Sequence, residues 1–295
     1  MRSKLFVPAS RPELFAKALG SAADAISFDL EDAVAIESKP AARIELRKLL
    51  ECRPVTMEDA SQLNENKTLI VRVNAVDTVH FAEDLKAAIW PALQIVNLPM
   101  VESADSVLRA VEMIQKLERE RCITRSIGIL ANIESPRGLR MAAEIASSHP
   151  SVVGLQIGYG DLFAPLGIVS GEPSATQYVR TAVRMAAGEA GVEAYDGAFV
   201  NIRDQEGYRR DSFAARQLGF AGRSCIHPSQ IEIANEVFMP DHAEVEHAVR
   251  VVDAAKHHLG RGVGAFTVDG RLVDGPFITR AERLVVLARR LGMIP

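Results

Sequence analysis

Eight short apolar runs, each followed by a stretch with helical periodicity, set the tightest limit on how this chain can fold. The runs fall at residues 4–8, 25–30, 69–73, 95–99, 126–133, 152–157, 197–202 and 222–226. They are rich in Val, Ile and Leu and apolar on both faces, the pattern of parallel strands covered on both sides. Between them the period lengthens. Over 104–121, Val107, Val111, Ile114 and Leu117 form one stripe with Glu and Lys opposite, as an amphipathic helix requires. Segments 139–148 and 174–190 behave alike. Eight alternations of strand and helix predict a (β/α)8 TIM barrel. From Pro8, closing the first run, to His227, just past the eighth, is 219 residues, or seven repeats of about 31, a usual length for a βα unit. An open doubly wound sheet would show fewer strands and a glycine-rich first turn; Val7-Pro8-Ala9-Ser10-Arg11-Pro12 is not one.

The rhythm stops after Ile231. Residues 243–259 read as a helix, Gly260-Arg261-Gly262-Val263-Gly264 as a flexible turn, 266–273 as a hairpin about Asp269-Gly270, and 279–291 as a last amphipathic helix. The expected division is a catalytic barrel over 1–231 and a C-terminal helical and hairpin extension over 232–295. The extension is too small to bury a core alone, so it should pack on the barrel or on a neighbouring subunit. The polar stretch 53–67 reads as the longest surface loop.

Charge and cysteine content exclude several functions. Lys and Arg number 34 against 38 Asp and Glu, a net charge of −4, without the basic stripe a nucleic-acid binder needs. No apolar run reaches the ~18 residues of a membrane helix. Pro8, Ser10, Arg11 and Glu13 interrupt the N-terminal apolar stretch, which reads as a first strand rather than a signal peptide. Cys52, Cys122 and Cys225 are odd in number and far apart, so they form neither a disulfide framework nor paired zinc ligands. A reducing, cytoplasmic compartment is expected.

Chemistry in such a barrel gathers at the C-terminal ends of its strands. The second strand ends Phe28-Asp29-Leu30-Glu31-Asp32. Three carboxylates this close repel unless a cation or hydrogen bonds compensate; alternatively they cap the next helix, a role that suits Asp32. Alternation along the strand lets Asp29 and Glu31 point alike. Arg72, in an apolar strand, needs a partner once buried. It reads either as a clamp on a substrate carboxylate or enolate oxygen, or as an interior ion pair with Glu31. Glu134 and Asp161 lie 27 residues apart, one βα unit, which puts two carboxylates on adjacent strand ends. With no His or Cys nearby they suit Mg²⁺; otherwise Glu134 caps a helix and Asp161 occupies a surface turn. Gly158 and Gly160 flank Tyr159, and backbone amides from Gly160 through Asp161 to Leu162 are candidates to hold a substrate carboxylate. Cys225-Ile226-His227 reads as a strand end, His257-His258 as a solvated helix end, and Asp274 as a turn-stabilising residue.

Taken in order, Leu5-Phe6-Val7-Pro8, Phe28-Asp29-Leu30-Glu31-Asp32-Ala33-Val34, Arg72-Val73-Asn74, Leu98-Pro99, Ile133-Glu134-Ser135, Gly158-Tyr159-Gly160-Asp161 and Ile226-His227-Pro228-Ser229-Gln230-Ile231 resemble the citrate lyase β-subunit-like branch of the HpcH/HpaI aldolase superfamily. The resemblance spans nearly the whole chain. It implies a (β/α)8 barrel, usually a homotrimer, with Mg²⁺ held by Glu134 and Asp161 and with Arg72 on the thioester or enolate end of the substrate. It implies cleavage of a citryl-, malyl- or citramalyl-type thioester, on CoA or an acyl carrier, to a 2-oxo acid and an acetyl thioester, with Asp29 and Glu31 in the catalytic group. In malyl- and citramalyl-CoA lyases, the residue matching Asp274 enters a neighbouring active site as acid/base. Thioester hydrolysis, aldol chemistry on a free 2-oxo acid, or a barrel active only with an acyl-carrier partner are the alternatives. One departure stands out: where many relatives carry Lys after the Leu-Pro of the fourth strand, this chain has Met100.

Overall fold

Eight parallel strands close on themselves: β1 Ser3–Pro8, β2 Ala25–Asp29, β3 Thr68–Arg72, β4 Ile95–Leu98, β5 Gly128–Ile133, β6 Val152–Ile157, β7 Glu193–Asp196 and β8 Gly222–Cys225. The structure, a computed structural model, describes residues 1–51, 67–260 and 262–294. Residues 53–66 of the polar stretch read as a surface loop lie outside the described residues. Each strand pairs with its sequence neighbour, and β1 closes the barrel on β8 through Ser3↔Arg223, Lys4↔Ser224 and Leu5↔Cys225. The expected (β/α)8 barrel is the architecture found.

Alternation sorts the side chains. Leu5, Val7, Ile26, Phe28, Val71, Val96, Leu98, Ala131, Ile133, Leu155 and Ile157 point outward. They join the helix stripe of Val107, Val111, Ile114 and Leu117 in one large core. Facing inward, Ala25, Ile70, Ile95, Leu130 and Tyr195 make a separate apolar layer. Other positions of inward parity are polar and buried: Lys4, Ser27, Asp29, Asn97, Asn132, Gln156 and Ser224. The barrel interior therefore changes from apolar to polar.

Two expectations need correcting. The seventh strand is not 197–202 but Glu193–Asp196, and 197–202 is the loop that follows it. An apolar-run criterion passes over a strand whose buried end is a carboxylate. Asp196 is tolerated there because Arg180 and Arg223 pair with it. The segment 139–148 is not one helix but two, Pro136–Arg140 and Ala142–Ser147, separated at Met141.

The chain divides into two compact units, Met1–Phe238 and Met239–Pro295; the helix Ser229–Val237 belongs to the first. The second unit opens with the helix His242–Leu259, entered through a capping box formed by Asp241 and Glu244. The antiparallel hairpin of β9 (Phe266–Val268) and β10 (Arg271–Val273) follows, then the helix Gly275–Arg290. Asp269 (φ 49°) and Gly270 (φ 75°) are both left-handed, as a two-residue type I′ turn requires. Its buried side chains, among them Val251, Phe266, Val273, Ile278 and Val285, form a cluster of their own.

Candidate active site

The C-terminal ends of β2 and β3 are register neighbours, Asp29↔Arg72, and their side chains meet. Arg72 donates from Nε to Asp29 Oδ1 (2.8 Å) and from Nη2 to Asp29 Oδ2 (2.7 Å), the bidentate geometry a guanidinium favours. Its Nη1 reaches Glu31 Oε2 at 2.8 Å and Asp32 Oδ2 at 3.5 Å. The cation that lets three carboxylates share this turn is thus Arg72. The interior pair with Glu31 is formed, and Asp29 is the stronger partner. The turn is fixed from behind. Asp29 also accepts from the amides of Glu31 (3.0 Å) and Ala33 (3.2 Å). Lys39 Nζ donates to the carbonyls of Leu30 (2.6 Å) and Glu31 (2.8 Å), and Asn74 Nδ2 donates to Leu30 O (3.0 Å). Asp32 begins no helix; the next helical residues are Ile36–Ser38, and Asp32 is exposed.

Burial pushes the Glu31 carboxyl up to about 8. The Arg72 charge opposes this, but Asp32, Glu134 and Asp29 add to the rise. Asp29 already occupies two of the guanidinium's three nitrogens, so Glu31 receives only part of its compensation.

Two strands on from β3, β5 runs straight into Glu134, which is buried. Glu134 does not cap the next helix: Ser135 does, accepting from the Gly138 amide (3.0 Å). Glu134 Oε1 accepts from Asn132 Nδ2 (2.9 Å) and Oε2 from the Met100 amide (2.8 Å). Met100 adopts φ 50°, a strained setting for a residue with a Cβ, and its N–H serves Glu134. Burial raises the Glu134 carboxyl; these two donors and Arg72 oppose the rise, and the Asp161 charge adds to it.

Asp161 sits in the first turn of the short helix Tyr159–Phe163 and is exposed. Gly158, just before it, packs on Glu134 so closely that a Cβ would stand 2.3 Å from Oε1; only glycine leaves Glu134 where it is. Gly160 faces open space. The Leu162 amide donates to Gly158 O (3.2 Å), and its side chain is buried. Tyr159 donates its hydroxyl to Asp196 (2.7 Å), which ties the 158–161 turn to the end of β7.

Sequence reading missed the polar residues beneath this mouth. Lys4 is buried and donates to Gln156 Oε1 and to Asn97 Oδ1 (3.3 Å). Burial, with Arg72, holds its ammonium well below the ordinary lysine range. The Phe6 ring lies under both cations, 4.3 Å from Lys4 Nζ and 5.2 Å from the Arg72 guanidinium carbon. The available signal was a polar side chain at an inward position of an apolar strand, at 4, 97, 132 and 156. Cys225 is buried against the Tyr208 hydroxyl (3.3 Å), while His227 is exposed and bonded to Ser229. Asp274, in the second unit, is the N-cap residue of its helix without a side-chain cap bond, and its Oδ1 is buried without a hydrogen-bond partner.

An eight-stranded parallel barrel with acidic groups and one carboxylate-bound arginine at its strand ends belongs to the barrel enzymes. Comparison with known proteins narrows this. The sequence profile of the HpcH/HpaI aldolase/citrate lyase family matches residues 2–228. The citrate lyase subunit beta of Escherichia coli K12 is 34% identical, over 99% of this chain and 94% of that protein. The (3S)-malyl-CoA thioesterase of Cereibacter sphaeroides is 35% identical, over 99% and 95%. CitE of Mycobacterium tuberculosis, solved with magnesium, acetoacetate and coenzyme A, superposes with a TM-score of 0.72 at 35% identity, covering 99% of this chain and all of that one. The chain belongs to the HpcH/HpaI aldolase/citrate lyase family, and thereby to the carbon–carbon lyases.

Proposed function

We propose that this chain is a Mg²⁺-dependent lyase that cleaves a citryl-, malyl- or citramalyl-type thioester to a 2-oxo acid and an acetyl thioester. The observation that carries the reading is the Glu134–Asp161 pair. Glu134 is buried, each of its oxygens already holds one N–H donor, and Asp161 adds like charge beside it. Among the described residues no group of three His, Cys, Asp or Glu side chains is arranged to hold a metal. Two carboxylates without sulfur or imidazole fit a hard ion that keeps water and substrate as its other ligands. Bound there, Mg²⁺ supplies Lewis-acid polarisation of the substrate's hydroxyl and oxo oxygens.

The remaining roles belong to side chains. Asp29 holds the Arg72 plane, and the guanidinium's free N–H bonds meet the developing enolate oxygen. Glu31, with its carboxyl near 8, exchanges a proton close to neutrality. Backbone at Gly160, Asp161 and Leu162 borders the substrate carboxylate. Asp274, its Oδ1 unpartnered within its own unit, serves as acid in a neighbouring site of a homotrimer. The barrel, 1–231, thus catalyses, and the extension, 232–295, carries Asp274. Met100 leaves this corner without the cation many relatives have, while its backbone amide still serves Glu134. The scattered cysteines support a cytoplasmic setting, and among the described residues no helix is long and apolar enough to cross a membrane.

The test is a product assay with malyl-CoA, citramalyl-CoA and citryl-CoA, with Mg²⁺ or with EDTA. Mg²⁺-dependent release of a 2-oxo acid and acetyl-CoA is expected. Free CoA with an intact hydroxy acid would instead show hydrolysis, as in the thioesterase relative's name. No turnover by protein that still binds Mg²⁺ would overturn the stand-alone reading in favour of a carrier-bound thioester or a free 2-oxo acid.

A further inference from the structure

We propose that Lys4, on the floor of the barrel, is a positioning residue for the Glu134 carboxylate, acting through Asn97 and Asn132. The inference rests on the reading of Glu134 as a metal ligand. Three hydrogen bonds run in one direction across β1, β4 and β5. Lys4 Nζ donates to Asn97 Oδ1 (3.3 Å), Asn97 Nδ2 to Asn132 Oδ1 (2.6 Å), and Asn132 Nδ2 to Glu134 Oε1 (2.9 Å). All four residues are buried.

The sense of this chain follows from its first member. Two amide oxygens, of Asn97 and Gln156, face the Lys4 amine, and in either charge state that amine carries enough N–H bonds for both. An amide has one oxygen end and one nitrogen end. With its oxygen turned to Lys4, Asn97 must present nitrogen to Asn132. Asn132 then presents oxygen to Asn97 and nitrogen to Glu134. The Leu130 carbonyl, which also accepts from Asn97 Nδ2 (2.9 Å), agrees with that sense. Glu134 thereby receives one donor on Oε1 from below and one on Oε2 from the Met100 amide, and the remaining lone pair of each oxygen is left for a cation.

Economy points the same way. The interior already contains an apolar layer of Ala25, Ile70, Ile95, Leu130 and Tyr195, so a methionine or leucine at position 4 would suit the fold. A buried amine is costly unless its bonds are used. Removing it leaves Asn97 Oδ1 as a buried acceptor without this donor, which frees the amide chain to reverse. Residues that orient a metal ligand in this way typically change metal affinity by 10–100-fold when removed.

The experiment measures Mg²⁺ binding by calorimetry on the full chain, alongside circular dichroism, for Lys4→Met, Asn97→Leu and the double variant. Folded Lys4→Met is expected to bind Mg²⁺ at least about 10-fold more weakly. Asn97→Leu should match it, and the double variant should be no worse than either single, because one chain is cut twice. Unchanged affinity in folded Lys4→Met, or losses that add in the double variant, would overturn the proposal. Should Lys4→Met fail to fold, Asn97→Leu with Lys4 intact decides: full Mg²⁺ affinity there overturns the relay. Glu134→Gln separates the two levels. Wild-type-like Mg²⁺ binding by Glu134→Gln would overturn the metal reading itself and the relay with it, whereas loss in Glu134→Gln but not in Lys4→Met would sink the relay alone.

Discussion

Two groups of buried charge sit in this barrel, and they are balanced differently. Beside β7 and β8, Arg180 and Arg223 share Asp196 and Asp211, with contacts of 2.7, 2.8, 3.1 and 3.5 Å. Two cations face two anions. Burial opposes the charge on Asp196, yet Arg223 and Arg180 hold its carboxyl below the usual range. At the mouth, Arg72 faces Asp29, Glu31 and the exposed Asp32, while Glu134 has Arg72 and Lys4 as its cations and the exposed Asp161 as a like charge. There the carboxyls of Glu31 and Glu134 are raised. A balanced buried group is closed to further ligands and serves the architecture. A group in deficit is incomplete until a proton or a cation arrives, and such groups mark functional sites.

The sharpest way to break this contrast is to remove one carboxylate from each group. Glu134→Gln should abolish Mg²⁺ binding and lower kcat/KM by about 10³-fold or more, the several kcal/mol a catalytic metal supplies, with little change in melting temperature. Asp196→Asn should do the reverse. It leaves Arg180 and Arg223 with Asp211 alone, and breaking a buried pair costs about 3–5 kcal/mol, to be read by chemical denaturation. If Asp196→Asn is stable but inactive, or Glu134→Gln unfolds, the division between architecture and site is wrong.

The barrel was legible because periodicity reports burial, and seven of the eight runs coincide with strands to within a few residues. The seventh strand was hidden by the same charge balance. Glu193-Ala194-Tyr195-Asp196 is not apolar, and nothing in the chain order announces that Arg180 and Arg223 meet it. The mouth was partly legible: carboxylates at strand ends can be read by position, and the pairing of Arg72 with Glu31 was among the alternatives. That Asp29 takes two nitrogens of Arg72 and that Met100 turns left-handed to donate its amide to Glu134 depend on which strands lie side by side, whereas the Ser135 cap that frees Glu134 is a local contact with Gly138. The pairing of β2 with β3 and of β4 with β5 supplies those neighbours. Lys4 was the clearest missed signal, a basic residue inside an apolar strand whose partners lie 93 and 152 positions away.

A single methyl group probes the geometry of the deficit rather than its charge. Gly158→Ala places a Cβ 2.3 Å from Glu134 Oε1 and 2.4 Å from its Cγ, so Glu134 must move. Displacement of about 1 Å at a reacting centre costs on the order of 10²-fold, and Mg²⁺ affinity should fall with kcat/KM. Gly160→Ala is the control. Its Cβ meets open space, and Mg²⁺ binding should be retained. Equal losses in the two variants would show that the 158–161 turn matters for flexibility and not for the seat of Glu134.

The smallest effect tests the proton side of the deficit. Glu31 has its carboxyl raised from the ordinary 4.5 to about 8, so between those values the folded chain holds a proton that the unfolded chain has released. Its contribution to stability is therefore full below about 4.5 and is lost as pH rises through about 8. Glu31→Gln removes that loss. Its melting temperature relative to the parent should rise with pH over this window by a few degrees, about 2–4 °C for each kcal/mol regained. Added Mg²⁺ should oppose the trend in the parent, because a cation at Glu134 removes part of the negative field that raises Glu31. A difference between parent and variant that is flat from pH 5 to 9 would mean that Arg72 fully compensates Glu31. The mouth would then be as balanced as the group around Asp196.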